Sequence, residues 1–170
     1  IIGNSTPRFK YGITLDAAWK GFDFSIFMQG IGKRDLWLDG CYFWGANGQG
    51  NEWQSTGFTE HWDFFRPEGD PLGANLNSYY PRVNFSGGRN TKIQTRYLQN
   101  GAYLRLKNVQ LGYTLPRVWT EKAGISSVRV YVSGDNLATI TSLSKIFDPE
   151  ATGSLAGTGS GKLYPLQRVI

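Results

Sequence analysis

The chain has one cysteine, Cys41, so no internal disulfide framework can hold it together. Its one histidine, His61, stands in Thr-Glu-His-Trp-Asp (59–63). Glu60 and Asp63 beside it are too close in sequence for the spaced ligands zinc prefers, so a loop role or a partner contact is favoured and no metal is expected. Charged residues make up only 18% of the chain, and the lysines and arginines are scattered singly despite a net charge of +5. Without a basic run or recognition motif, a nucleic-acid partner is not expected. No stretch approaches the ~20 apolar residues of a membrane-spanning helix. That absence leaves a membrane barrel open, because its signal per strand is weak. A signal peptide is absent as well. The chain opens on Ile1-Ile2 rather than methionine, and is expected to be an internal piece of a longer protein. Serine, histidine and acidic residues are present without a nucleophile elbow or other catalytic frame. Neither an enzyme nor a cofactor is indicated.

What the chain does have is aromatic residues, 15% of the total, along with 22 glycines and two runs of strict alternation. From Phe9 the odd positions read Phe9, Tyr11, Ile13, Leu15, Ala17 and Trp19; the even ones read Lys10, Gly12, Thr14, Asp16 and Ala18. After Lys20-Gly21, Phe22, Phe24, Ile26 and Met28 alternate with Asp23, Ser25, Phe27 and Gln29. A period of two puts one strand face in an apolar medium and the other in a polar one. The two-residue joint predicts a tight hairpin. Trp19 and Phe22 flank that turn, where the aromatic girdle of a transmembrane barrel would lie.

Strands are predicted over about 8–19, 22–30, 103–115 and 127–134, with a fifth beginning near 165–170. Val109, Leu111, Tyr113 and Leu115 share one phase, whereas Leu104 and Leu106 share the other, so a bulge or a change of environment is expected between Leu106 and Val109. Pro116 closes that strand. Residues 117–124 suit a helical turn ended by Gly124, with Trp119 at an interface. Gly134-Asp135-Asn136 marks a turn or kink. Long segments over about 31–100 and 137–163 are read as loops on the opposite side from Lys20-Gly21, the asymmetry of an outer-membrane barrel. The first of them holds thirteen aromatics.

Several phrases then carry a family resemblance. They are Ile-Ile-Gly-Asn-Ser-Thr-Pro-Arg-Phe (1–9), Trp-Lys-Gly-Phe-Asp (19–23), Phe-Met-Gln-Gly (27–30), Tyr-Leu-Arg-Leu-Lys-Asn-Val-Gln-Leu-Gly-Tyr-Thr-Leu-Pro (103–116), Val-Arg-Val-Tyr-Val-Ser-Gly-Asp-Asn-Leu (128–137) and Asp-Pro-Glu (148–150). In that order they resemble the C-terminal part of the SusC/RagA family of TonB-linked outer-membrane transporters of Bacteroidetes. The resemblance implies an all-β fold: the last strands of a 22-stranded antiparallel transmembrane barrel with long extracellular loops, embedded in outer-membrane lipid. It implies import of glycans or peptides, a SusD-like surface lipoprotein as partner, and energy from TonB. The plug and the TonB-contacting portion are absent from this sequence, and the last strand lacks the family's usual aromatic end.

On this reading Lys10, Thr14, Asp16, Asn108, Gln110 and Arg129 line the lumen. Trp44, Trp53, Trp62, Tyr79 and Tyr80 are the loop aromatics expected to touch ligand or lid, since Trp and Tyr offer large rigid area at low entropy cost. Mutual packing of these rings to hold the long loop together is the competing expectation. A Walker-like string at 156–162 has Ala156 and Leu163 where a phosphate loop needs Gly and Ser or Thr, and is read as loop. Asp148-Pro149-Glu150 is read as a loop-shaping turn rather than a calcium site. The alternative from another class is a soluble carbohydrate-binding β-sandwich module. A secreted glycan hydrolase fragment is remote, for want of a carboxylate pair.

Overall fold

The computed structural model describes residues 2–46, 57–84, 88–153 and 166–170. Its strands are β1 (Phe9–Trp19), β2 (Phe22–Gly32), β3 (Asp35–Trp37), β4 (Leu98–Asn100), β5 (Tyr103–Thr114) and β6 (Arg129–Thr141). Two short helices, α1 (Cys41–Trp44) and α2 (Arg117–Thr120), join them. The chain divides into two units: one from Ile1–Thr6, Asp35–Asn100 and Leu143–Pro165, the other from Pro7–Arg34, Gly101–Ser142 and Leu166–Ile170.

The second unit is a four-stranded antiparallel sheet in the order β1-β2-β5-β6. Lys20 and Gly21, with φ of 46° and 89°, make the two-residue turn between β1 and β2. Two positive φ values in succession match the twist of the flanking strands, and eleven residue pairs follow without a slip. The turn is also tied to β5, since Thr114 N donates to Gly21 O at 2.8 Å.

The phase switch in β5 resolves as a bulge. Phe27 pairs with Asn108 and Met28 with Leu106, so Lys107 is an extra residue against β2. Against β6, Leu106 pairs with Ala138 and Asn108 with Asp135. The inserted residue turns the strand by half a period. Leu104 and Leu106 therefore share a face with Val109, Leu111 and Tyr113, although their sequence phases disagree. Gly134-Asp135-Asn136, expected as a turn or kink, is a kink within the strand and part of this bulge. Asn136 takes a left-handed φ of 53° and the strand continues to Thr141, well past the expected end near 134. The expected final strand is, among the described residues, an extended piece making one bridge, Asp135 to Val169. After β5, α2 and a further 3-10 turn end at Gly124, whose φ of 68° and N–H donated to Glu121 O supply the left-handed cap.

On the polar face one contact crosses three strands. Arg129 of β6 makes a two-pronged pair with Asp23 of β2, Nε to Oδ1 at 3.0 Å and Nη2 to Oδ2 at 2.5 Å. It passes over Gly112 of β5, where a Cβ would stand 2.5 Å from Asp23 Oδ1 and 2.6 Å from Arg129 Nη2. Glycine here makes room for the pair.

The first unit has its own core of Leu36, Leu38, Phe43, Trp44, Tyr80, Tyr97, Leu143 and Phe147. A three-pair ladder joins β3 to β4, with Asp35 opposite Asn100. The segment read from sequence as loop is thus a packed body in which aromatic rings do the work of regular elements. Edge-to-face pairs link Phe43 to Trp44 at 5.0 Å and Trp44 to Tyr97 at 4.8 Å. Such pairs add about 0.5–1.5 kcal/mol each beyond the area they bury.

Inserting one alanine after Lys107, against an unchanged one-residue bulge, should throw Leu104 and Leu106 onto the polar face and block assembly of the full-length protein, whereas deleting Lys107, which leaves Leu106, Asn108 and Val109 in plain alternation, should be tolerated. Heat-modifiable migration on gels reads this directly, and equal assembly of the two variants would refute the register. Gly112→Val should displace the Asp23–Arg129 pair and cost about 1–3 kcal/mol as overpacking does, measured by urea unfolding in detergent.

Candidate functional site

Three of the five loop aromatics singled out in the sequence meet at one cavity. Trp44, Trp62 and Tyr80 line a space of about 480 Å³ together with Phe58, Phe64 and Leu72. Trp44 and Tyr80 are buried core residues, whereas Trp62 is 60% exposed. Tyr79 stands apart from the lining. Its ring packs edge-on against Tyr80 and Tyr97, and its hydroxyl accepts from Gln99 Nε2 at 2.6 Å. Trp53 lies outside the described residues, as does the Walker-like string. Sequence reasoning missed Phe58, Phe64 and Leu72, which have no periodicity to mark them. Trp44 and Tyr80 pack in the core and line the cavity as well.

The cavity is held in shape by the residues that resemble a metal site on paper. His61 Nδ1 accepts from Phe58 N at 3.0 Å, and its Nε2 donates to Phe43 O at 3.0 Å. Asp63 takes Asn75 Nδ2 on one carboxylate oxygen and Tyr79 N on the other, both at 3.0 Å. Glu60 accepts from Ser144 Oγ at 2.8 Å. Each side chain ties down a different piece of chain, and among the described residues no cluster of metal-binding groups forms. Glu150 N donates to Asp148 Oδ1 at 2.9 Å, the hydrogen bond of a turn. Burial, and then the nearby Glu60 carboxylate, push the Tyr80 phenol well above its ordinary range, so it stays protonated. Its hydroxyl and the Trp44 indole N–H are both buried and find no acceptor among the described residues.

The sheet offers a different kind of site. Its register puts Lys10, Thr14, Asp16, Asn108, Gln110 and Arg129 on one face. Neighbours there pair with one another: Ser25 Oγ donates to Asp16 at 2.6 Å, and Asn108 Nδ2 to Asp135 at 2.8 Å. The other face carries Ile13, Leu15, Phe24, Leu111, Val130 and Val132, all exposed. Aromatics bound it at both ends. Trp19, Phe22 and Tyr113 lie by the turn, with Phe22 and Tyr113 in ring contact at 4.5 Å, and Phe9 and Tyr11 lie at the far end. Phe9 and Trp19 are ten residues apart on one strand, ~33 Å at ~3.3 Å per residue, which is ~25 Å of membrane depth at a strand tilt of ~40°. That matches the ~25 Å apolar band of a barrel wall between its girdles.

An exposed apolar face between aromatic rims, backed by a continuous polar face, is the wall of an outer-membrane β-barrel. No family model matches the chain. Two receptors of Formosa agariphila are similar to it. TonB-dependent receptor P3 is 35% identical over 152 residues, covering 89% of this chain and 14% of the relative. TonB-dependent receptor P26 is 27% identical over 180 residues, covering 100% and 17%. Among solved structures, the RagAB peptide importer in its closed-closed state aligns with a TM-score of 0.71 at 28% identity, over 99% of this chain and 17% of the matched one. The open-open state aligns with a TM-score of 0.67 at 26% identity, over 96% and 17%. The chain thus spans about a sixth of the length of these relatives. Over nearly its whole length it is similar to a segment of TonB-dependent receptors and of the RagAB importer.

His61→Ala should loosen the first unit by about 1–3 kcal/mol, because two hydrogen-bonding groups lose their partner. Hydrogen exchange at Phe58 and neighbouring amides should accelerate, while zinc or a chelator should change nothing. Zinc-dependent protection of those amides in the unmutated protein would reverse the assignment.

Proposed function

We propose that the full-length protein imports nutrients across the outer membrane, and that this segment supplies part of the barrel wall and part of the ligand chamber. The observation that carries the reading is the two-faced sheet, in a chain that aligns almost entirely with an importer. Lipid hydrocarbon covers the apolar face. Lys10, Thr14, Asp16, Asn108, Gln110 and Arg129 face the lumen, where their charges and hydroxyls stay hydrated. A SusD-like lipoprotein closes the chamber from outside, and TonB acts through a plug belonging to the rest of the protein. Trp44, Trp62, Tyr79 and Tyr80, on this reading, belong to the wall of the ligand chamber or meet the lid.

Two ligand classes, oligosaccharides and peptides, fit the family. The name of the RagAB peptide importer supports the second. The carbohydrate-binding β-sandwich has less support, because such a module needs a second sheet packed on the first. Among the described residues the other ladder, β3 with β4, is three pairs long.

Leu111→Arg or Val130→Arg should cost about 2–4 kcal/mol at mid-membrane depth and prevent assembly. Gln110→Arg or Thr14→Arg should assemble normally. Equal tolerance of both classes would mean that the faces are assigned the wrong way round. Detergent extraction of the outer membrane should yield the full-length protein with a surface lipoprotein bound. Recovery as a soluble, unpartnered protein would end the importer reading.

A further inference from the structure

The aromatic rim beside the Lys20-Gly21 turn continues beyond the sheet. One rung across the wall reads Trp19, Phe22, Tyr113 and Val130, successive partners in β1, β2, β5 and β6. The ladder runs on past Tyr113 to Leu115, whose N–H donates to Val128 O at 2.9 Å. Pro116 ends it there and α2 follows. Leu115 lies two residues beyond the aromatic rung, ~7 Å at ~3.3 Å per residue. The polar headgroup layer of one leaflet is about 5–7 Å deep. With the rung at the edge of the hydrocarbon, α2 falls at headgroup depth.

The connection between β5 and β6 has the side chains that this depth selects. Val118 and Trp119 are 66% and 64% exposed, and Ile125 is 46% exposed. Arg117 and Lys122 stand on the same short turn, and Lys20 on the neighbouring one, which Thr114 N ties to β5. None of these three cations has an ion-pair partner among the described residues. Asp23, the acid on the adjoining sheet, is taken by Arg129, which leaves Glu121 as the acid of α2 and its 3-10 turn. Lys20 Nζ lies 4.9 Å from the centre of the Trp19 ring, so its charge is held at the aromatic rim. Uncovered apolar side chains beside unpaired cations, all at one depth, are the pattern of a segment lying on an anionic lipid surface.

We propose that this connection lies in the headgroup layer of the periplasmic leaflet, where Lys20, Arg117 and Lys122 hold the phosphates of anionic glycerophospholipids and Val118, Trp119 and Ile125 meet the acyl chains. The inference rests on the importer reading, which puts lipid against the apolar face and the tight turn on the periplasmic side. It makes a lipid site of a segment that otherwise only joins two strands. The apolar surface it covers is continuous with the wall through Tyr113 and Leu115.

The test uses the full-length receptor in a neutral detergent, given equal amounts of dioleoylphosphatidylglycerol and dioleoylphosphatidylcholine. Native mass spectrometry counts the lipids it keeps. A basic residue at an anionic surface is worth roughly fivefold in binding, so phosphatidylglycerol should be kept in roughly tenfold preference or more. Arg117→Gln with Lys122→Gln should cut that ratio about fivefold. Arg8→Gln with Lys33→Gln removes the same charge from the far end of the β1–β2 hairpin, where Arg8 N donates to Lys33 O, and should leave the ratio nearly unchanged. All four positions are at the surface, so both double variants should fold, as heat-modifiable migration will show. Equal retention of the two lipids by the unmutated receptor would overturn the proposal, and so would an equal loss in the two double variants. Abolition of the preference by millimolar inorganic phosphate would also overturn it, by making the cations a site for a soluble anion. Each of these failures, in a receptor that fractionates with the outer membrane, leaves the importer reading standing.

Discussion

A strand in this sheet must show alternate residues to two different media, and the rest of the wall depends on that constraint. Eleven pairs between β1 and β2 obey it without interruption. β5 could not obey it as a regular strand, since its two halves alternate in opposite phase. The bulge at Lys107 reconciles them by inserting one residue between the halves. The same device passes to β6, where Asn136 takes a left-handed conformation that asparagine accepts more readily than most residues. A charged residue is thereby placed at the irregular point of the ladder, with regular apolar positions on either side of it.

The first unit meets a different constraint. It has few regular hydrogen-bonded elements, so side chains satisfy much of its backbone. Arg96 donates to the carbonyls of Ser78 and Tyr79, and Arg66 to those of Trp62 and Gly73. His61 and Asp63 serve in the same way. Polar residues that look catalytic in a list are here the fasteners of an aromatic core. Gly45 belongs to this arrangement: its φ is 60°, and a Cβ there would stand 2.7 Å from His61 Nδ1.

The wall was legible in the sequence because alternation is imposed by the surroundings and repeats at every residue. The Lys20-Gly21 turn, the phase switch before Val109 and the Gly124 cap were all readable for local reasons. The continuation of β6 was not, because Gly-Asp-Asn has the same composition whether it ends a strand or bends one. The cavity was half legible. Trp44, Trp62 and Tyr80 stood out by residue type, but their convergence with Phe58, Phe64 and Leu72 depends on contacts between positions far apart in an aperiodic stretch. Nothing local distinguishes Tyr79, which packs outside the cavity, from Tyr80, which lines it.

The short ladder between β3 and β4 bears on how such a protein can assemble at all. β2 and β5 are partners, yet some seventy residues of chain lie between Gly32 and Tyr103. Gly101 N donates to Arg34 O at 2.7 Å, and Asp35, Leu36 and Trp37 then pair in turn with Asn100, Gln99 and Leu98. The excursion is pinched shut at its neck. Once those few pairs form, β2 and β5 meet as if joined by a connection of a few residues. By the logarithmic dependence of loop closure on length, that lowers the entropic cost of pairing them by about 2 kcal/mol. The long insertion is thereby decoupled from the wall it interrupts, and it can change in length and composition without slowing the closure of the strands.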